Sequence, residues 1–69
     1  MTLKKHSFSL SGHRTSVALE EEFWVVLQRE AEGTGRSLSS LIASIDAARG
    51  KRALASALRL HALALTRTG

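Results

Sequence analysis

Arg14-Thr15-Ser16-Val17-Ala18-Leu19 is the stretch whose reading decides the fold. Its residues alternate: Arg14, Ser16 and Ala18 fall to one side, and Thr15, Val17 and Leu19 to the other. That is the period of a strand with one wet and one buried face. The remainder of the chain reads mainly as helix, and a lone strand leaves a row of backbone N–H and C=O groups without partners. The economical solution is the same strand from a second copy, paired antiparallel about a two-fold axis. Such a ribbon displays Arg14, Ser16 and Ala18 twice on its outer face and seals Val17 and Leu19 beneath it. A two-stranded ribbon has a cross-section that the major groove of DNA admits.

Upstream, residues 1–5 (Met-Thr-Leu-Lys-Lys) read as a basic arm with nothing to pack, carrying Lys4 and Lys5. His6-Ser7-Phe8-Ser9-Leu10 alternates again and places Phe8 and Leu10 on one side. Ser11-Gly12, between the two alternating runs, is either a two-residue hairpin turn or a bulge in one long strand, and the residues leave both open. A flanking first strand would widen the ribbon and bear on its fit to a groove.

Downstream, three helices are expected. The first spans 20–33, where Glu20, Glu21 and Glu22 suit the positive end of the helix dipole. Leu19, Phe23, Val26, Leu27 and Ala31 form its buried stripe, with Trp24 on the shoulder as a core or interface anchor. Gly33-Thr34-Gly35 closes it, since glycine accepts the left-handed conformation of a helix C-terminus. The second spans 37–49, capped by Ser37 and burying Leu38, Leu41, Ile42 and Ile45. Its first turn, with Arg36, Ser37, Ser39 and Ser40, offers donors and no acid. Such a turn either holds a phosphate on its free amides or is an ordinary capped helix start. Gly50 ends it, and a third helix is expected over 51–66. There Leu54, Leu58, His61 and Leu65 line up, Ala53, Ala57, Leu60 and Ala64 widen the stripe, and Arg52, Ser56 and Arg59 fall opposite. So apolar a helix needs cover, from the dimer body, from its symmetry mate, or from another protein. His61 reads as a satisfied interface histidine.

Composition narrows the class. A 69-residue chain is one domain at most, and at that size a monomeric core supplies only about 3–5 kcal/mol without a staple. Cysteine is absent, and His6, His13 and His61 lack the short paired spacing of a zinc site, so oligomerisation is the remaining staple. The 43% apolar content with no proline argues for a packed, mostly helical body. No apolar run reaches the roughly 18–20 residues of a membrane span, and no signal-peptide core is visible, so the expected location is cytoplasmic with no membrane partner. The net charge of +4 is unevenly spread: +3 over 1–19, −4 over 20–32, +1 over 33–50 and +4 over 51–69. A basic strand beside an acidic helix lets one face alone meet a polyanion. No nucleophile–base pair, paired carboxylates or phosphate loop points to an enzyme, and no cofactor is expected.

The order of strand, helix, glycine turn and helix resembles the ribbon-helix-helix family of DNA-binding proteins, to which the methionine and Arc repressors belong. The resemblance covers roughly 13–50 and is carried by Arg14-Thr-Ser-Val-Ala-Leu19, by Glu20-Glu-Glu-Phe-Trp-Val-Val-Leu27, and by Gly35-Arg36-Ser37 leading into Leu38-Ser-Ser-Leu-Ile42. Gly12-His-Arg-Thr-Ser-Val-Ala-Leu19 with Phe23-Trp24, and later Ile45-Asp-Ala-Ala-Arg-Gly50, is similar to a small bacterial subgroup with an added C-terminal helix. The resemblance implies a mainly α fold with one short β-ribbon: an intertwined homodimer whose intermolecular antiparallel ribbon enters the major groove, plus a third helix. It divides the chain into a basic arm (1–5), a ribbon-helix-helix domain (6–50) and a C-terminal amphipathic helix (51–66). By position, Arg14, Ser16 and Ala18 would read bases, though Ala18 departs from the polar residue usual there. Arg36, Ser37 and the amide of Leu38 would clamp phosphate, with Lys4 and Lys5 adding backbone contacts. The shared dimer core would comprise Val17, Leu19, Phe23, Trp24, Leu27, Leu41, Ile42 and Ile45.

Two functions follow. One is a homodimeric regulator of transcription on double-stranded DNA, repressing its own or a neighbouring promoter, with higher order on DNA open. This reading includes the antitoxin of a toxin–antitoxin pair, although antitoxins of this family often end in a long, poorly ordered tail. The other is a dimerisation or protein-interaction module that does not read DNA and docks a partner through its C-terminal helix.

Overall fold

The computed structural model describes residues 2–67. Strands β1 (Leu3–Leu10) and β2 (His13–Glu20) form an antiparallel hairpin, followed by helices α1 (Glu21–Gly33), α2 (Leu38–Ala48) and α3 (Leu54–Thr66). Ser11 and Gly12 both take positive φ, 52° and 80°, as the two central residues of a type I′ turn do. Of the two readings of Ser11-Gly12, the hairpin is the one adopted. The strand over 13–19 thus finds a partner within its own chain, on one of its edges. Lys4 and Lys5 belong to β1 and not to a loose arm. Pairing runs out to Leu3 opposite Glu20, and the Trp24 indole Nε1 donates to the Lys4 carbonyl at 2.8 Å, which ties down the start of the strand.

The register sorts the hairpin into two faces. Phe8 and Leu10 of β1 and Val17 and Leu19 of β2 are buried against the helices. Lys5, Ser7 and Ser9 lie on the other face, cross-strand from Ala18, Ser16 and Arg14 respectively. In a two-residue hairpin the closing pair, here Leu10 and His13, is hydrogen-bonded, and the pairs alternate from there. Ser7 and Ser16 therefore form a non-hydrogen-bonded pair, whose side chains approach closely, and their Oγ atoms are 2.9 Å apart. The same alternation turns the backbone groups of Arg14, Ser16 and Ala18 outward, onto the edge of β2 that β1 does not occupy.

Glu20 caps α1 without a side-chain hydrogen bond, so the helix proper starts one residue later than expected. Its buried residues are Trp24, Leu27 and Ala31, while Phe23 and Val26 are half-buried. The stripe centres on Trp24 because that ring lies under β1, 4.3 Å from the His6 ring and 5.9 Å from Phe8, with its N–H satisfied by Lys4. Gly35 takes φ 69°, and the amides of Arg36 and Gly35 donate to the carbonyls of Ala31 (2.9 Å) and Glu32 (3.2 Å). Both are bonds of a Schellman motif, and they turn the chain into α2.

The largest departure from expectation is in α3. Gly50 at φ 62°, the Arg52 amide on the Arg49 carbonyl, and the Arg49 guanidinium on the Arg52 carbonyl hold Lys51 and Arg52 in a turn, so the helix begins at Leu54 and not near 51. It packs on α1, α2 and β2 of its own chain. Ala57, Leu58 and Ala62 are buried, whereas Leu60 and Ala64, expected on the packed side, are exposed. Arg59 does not fall opposite: it is half-buried and donates to both carboxylate oxygens of Glu20, at 3.0 and 3.4 Å. The small side chains of Ala57 and Ala62 let the helix approach closely, and the Arg59 pair fixes its rotation. His61 Nε2 lies 3.0 Å from Glu30 Oε2, a second tie between α3 and α1.

One core results, with Leu19, Leu27, Leu41, Ile42 and Leu58 its largest fully buried side chains, each worth about 1.5–3 kcal/mol. Val17, Leu19, Trp24, Leu27, Leu41, Ile42 and Ile45 are buried by the chain itself, because β1 and α3 supply cover; Phe23 remains at the rim.

Candidate nucleic-acid interface

Apart from the exposed Leu3 opposite Glu20, the outer face of the hairpin is small, polar and basic. Arg14, Ser16, Ser7, Ser9 and Lys5 are exposed on it, and Ala18 is half-buried. β2 positions Arg14 and Ser16 because Val17 and Leu19, at the alternate positions, are anchored in the core. The Ser7 hydroxyl holds that of Ser16. Glu20 stands at the end of the same face, but Arg59 neutralises it. The guanidinium hydrogen bonds draw the Glu20 carboxyl below its ordinary value of 4.5. Its other neighbours on α1, Glu21 and Glu22, are exposed and lie past the end of the strand.

Lys4 and Lys5 separate. Lys4 falls on the helix side, its Nζ 4.0 Å from Glu21 Oε1 in a well-solvated pair, while Lys5 stands on the outer face across from Ala18. Tandem lysines read as a loose arm gave no reason to distinguish them. Nor does the sequence alone join Ser7 and Ser9 to the face of Arg14. Their alternation with Phe8 and Leu10 is legible, but joining that face to Arg14 requires the turn at Ser11-Gly12.

A scan of protein families places these elements: a ribbon-helix-helix domain matches residues 3–65. The chain belongs to the ribbon-helix-helix family. The matched span includes β1 and nearly all of α3 along with β2, α1 and α2. None of the curated proteins and none of the solved structures compared with the chain matches it. Ribbon-helix-helix domains are in general DNA-binding regulators of transcription, and they typically bind as dimers.

The second group of expected site residues gathers at the start of α2. Ser37 is the N-cap, its Oγ accepting from the Ser40 amide at 3.0 Å. Arg36 folds its guanidinium over the same turn and donates to the Ser40 carbonyl at 2.8 Å. The first turn of α2 contains no acid, in contrast with Glu21 and Glu22 in that of α1. Arg36 and Ser37 are exposed and Leu38 is half-buried. The geometry brings Arg36, Ser37 and the Leu38 amide to one helix end. It does not bring Lys4 to the outer face. Among the described residues no group of three or more His, Asp or Glu side chains is placed to hold a metal ion, and no helix is long and apolar enough to cross a membrane.

Proposed function

We propose that the protein is a sequence-specific, homodimeric DNA-binding regulator of transcription, a repressor of its own or a neighbouring promoter, which reads the major groove with the outer face of β2. The observation that carries this reading is the exposed pair Arg14 and Ser16 on a face whose opposite side is locked into the core. Arginine grips guanine O6 and N7 with two hydrogen bonds, and the serine hydroxyl donates to or accepts from base edges.

The second copy joins along the open edge of β2. A two-fold axis at Ser16 sets Arg14 opposite the partner's Ala18, and the outward backbone groups of Arg14, Ser16 and Ala18 then form about six hydrogen bonds, two per facing pair. In this register the two arginines avoid each other, and the small Ala18 leaves room for the guanidinium beside it. Arg36, Ser37 and the Leu38 amide fix the protein on the phosphates, a contact that positions without specifying.

Selection of bound sequences from random duplex DNA at physiological salt tests the reading directly. Wild type should enrich a two-fold-related motif. Arg14→Ala should cost about 1–3 kcal/mol and relax preference at one base pair in each half-site, with the fold and the two copies per site on DNA unchanged. Unchanged DNA affinity in that variant would favour a protein-interaction module, for which the exposed Leu60 and Leu63 of α3 provide the surface.

A further inference from the structure

We infer that β1 contributes a second rank of DNA contacts: Lys5 and Ser9 bind the phosphates on the two walls of the groove that Arg14 and Ser16 read. This rests on the function proposed above and adds residues that a single reading strand does not possess.

The argument is one of width. Joining two hairpins along their β2 edges gives a four-stranded sheet in the order β1, β2, partner β2, partner β1. Three strand spacings of about 4.8 Å set the outer strands about 14 Å apart. The major groove is about 12 Å wide, so the central pair fits and the outer strands ride over its walls. Phosphates line those walls. Beyond the apolar Leu3 at its start, the outward side chains of β1 suit them: an ammonium group at Lys5 and hydroxyls at Ser7 and Ser9, all exposed and none acidic. Ser7 is held by Ser16, which leaves Lys5 and Ser9 to meet the backbone.

The register then orders each row across the sheet. Ser9 lies beside Arg14 and Lys5 beside Ala18. With the two-fold axis at Ser16, one row runs Ser9, Arg14, the partner's Ala18, the partner's Lys5. A phosphate donor stands at each end of that row and a base reader in the middle. Lys4, turned to the helix side near Glu21, takes no part.

Salt dependence separates the two lysines. Each phosphate contact contributes about 0.9 to the slope of log affinity against log salt. Lys5→Ala, altered in both copies, should therefore flatten that slope by about 1.8 and leave the selected sequence unchanged. Lys4→Ala should leave both as in wild type, and Ser9→Ala should weaken binding to every sequence by the same factor. A wild-type slope in Lys5→Ala, or a change in its selected bases, overturns the inference; if Arg14→Ala still relaxes base preference, the function proposed above survives that failure. Absence of any DNA binding by wild type overturns both.

Discussion

Replacing Leu58 by alanine tests whether α3 is part of the fold or an appendage to it. Leu58 is fully buried, and Leu→Ala at such a site costs about 2.7–5 kcal/mol, the spread reflecting how far the surroundings collapse into the cavity. A 69-residue domain has about 3–10 kcal/mol of stability in all, at roughly 0.05–0.15 kcal/mol per residue. The variant should thus lose at least a quarter of its stability and possess at worst no folded state at room temperature. Leu60 provides the control on the same helix: it is 46% exposed, and its change to alanine, a better helix former, should cost less than about 1 kcal/mol. Urea titrations followed by Trp24 fluorescence measure both, with the slope against denaturant checking that the same surface unfolds. Since one chain closes its own core, wild-type midpoints should be nearly independent of protein concentration. A Leu58→Ala variant within about 0.5 kcal/mol of wild type, or Leu60→Ala the costlier of the two, would refute the packing of α3 described here.

Two further outcomes follow from local geometry. Asparagine tolerates positive φ better than serine, so Ser11→Asn should stabilise the hairpin by a few tenths of a kcal/mol; Gly12→Ala should destabilise it by about 1 kcal/mol through backbone strain alone, as nothing lies within 4 Å of the added Cβ. Thermal melts of the two variants shifting in the same direction would contradict the type I′ turn. Arg59 holds the folded-state pKa of Glu20 below its ordinary value. The associated stability is therefore complete above the ordinary carboxylate pKa and is lost as pH falls through the lowered folded value. The stability gap between wild type and Arg59→Met should narrow on acidification, and a gap constant from neutrality into the acid range would show the Glu20 pair to be energetically idle.

How much of this was legible before the structure depended on whether a residue's place is set locally. The alternation of Arg14 to Leu19, the serine cap at Ser37 and the glycine turn at Gly35 each follow from bonds within a few residues, and each is found where the sequence puts it. Ser11-Gly12 admits both a hairpin and a bulge, because serine gives a weaker hairpin signal than asparagine in the same place, so the strand's partner within the chain stays behind the second copy as the expected one. On α1 the stripe is displaced by one residue from Phe23 to Trp24, whose acceptor lies 20 residues away on Lys4. The apolar residues of α3 surround so much of the helix that periodicity alone cannot select a face. The Arg59 bond to Glu20, 39 residues distant, helps to select it. Arg14 and Ser16 can be named from alternation; Lys5 can be named only together with Lys4, as a basic arm, and Ser9 not at all, since their place on the outer face depends on the register across the turn.

The same hairpin changes what a second copy is for. In an intertwined dimer each chain completes the other's core, and folding and association are one event. Here β1 and α3 cover Val17, Leu19, Leu27, Leu41 and Ile42 within one chain, so the pairing of two β2 edges does not depend on a shared core. About six backbone hydrogen bonds at roughly 0.5–1.5 kcal/mol each come to about 3–9 kcal/mol, which at best matches and mostly falls short of the 4–15 kcal/mol that association costs in lost freedom. A dimer held by that edge alone is weak. Phosphates that engage Arg36, Ser37 and Lys5 of both copies on one duplex would supply the remainder, so DNA itself would assemble the four-stranded sheet that reads it.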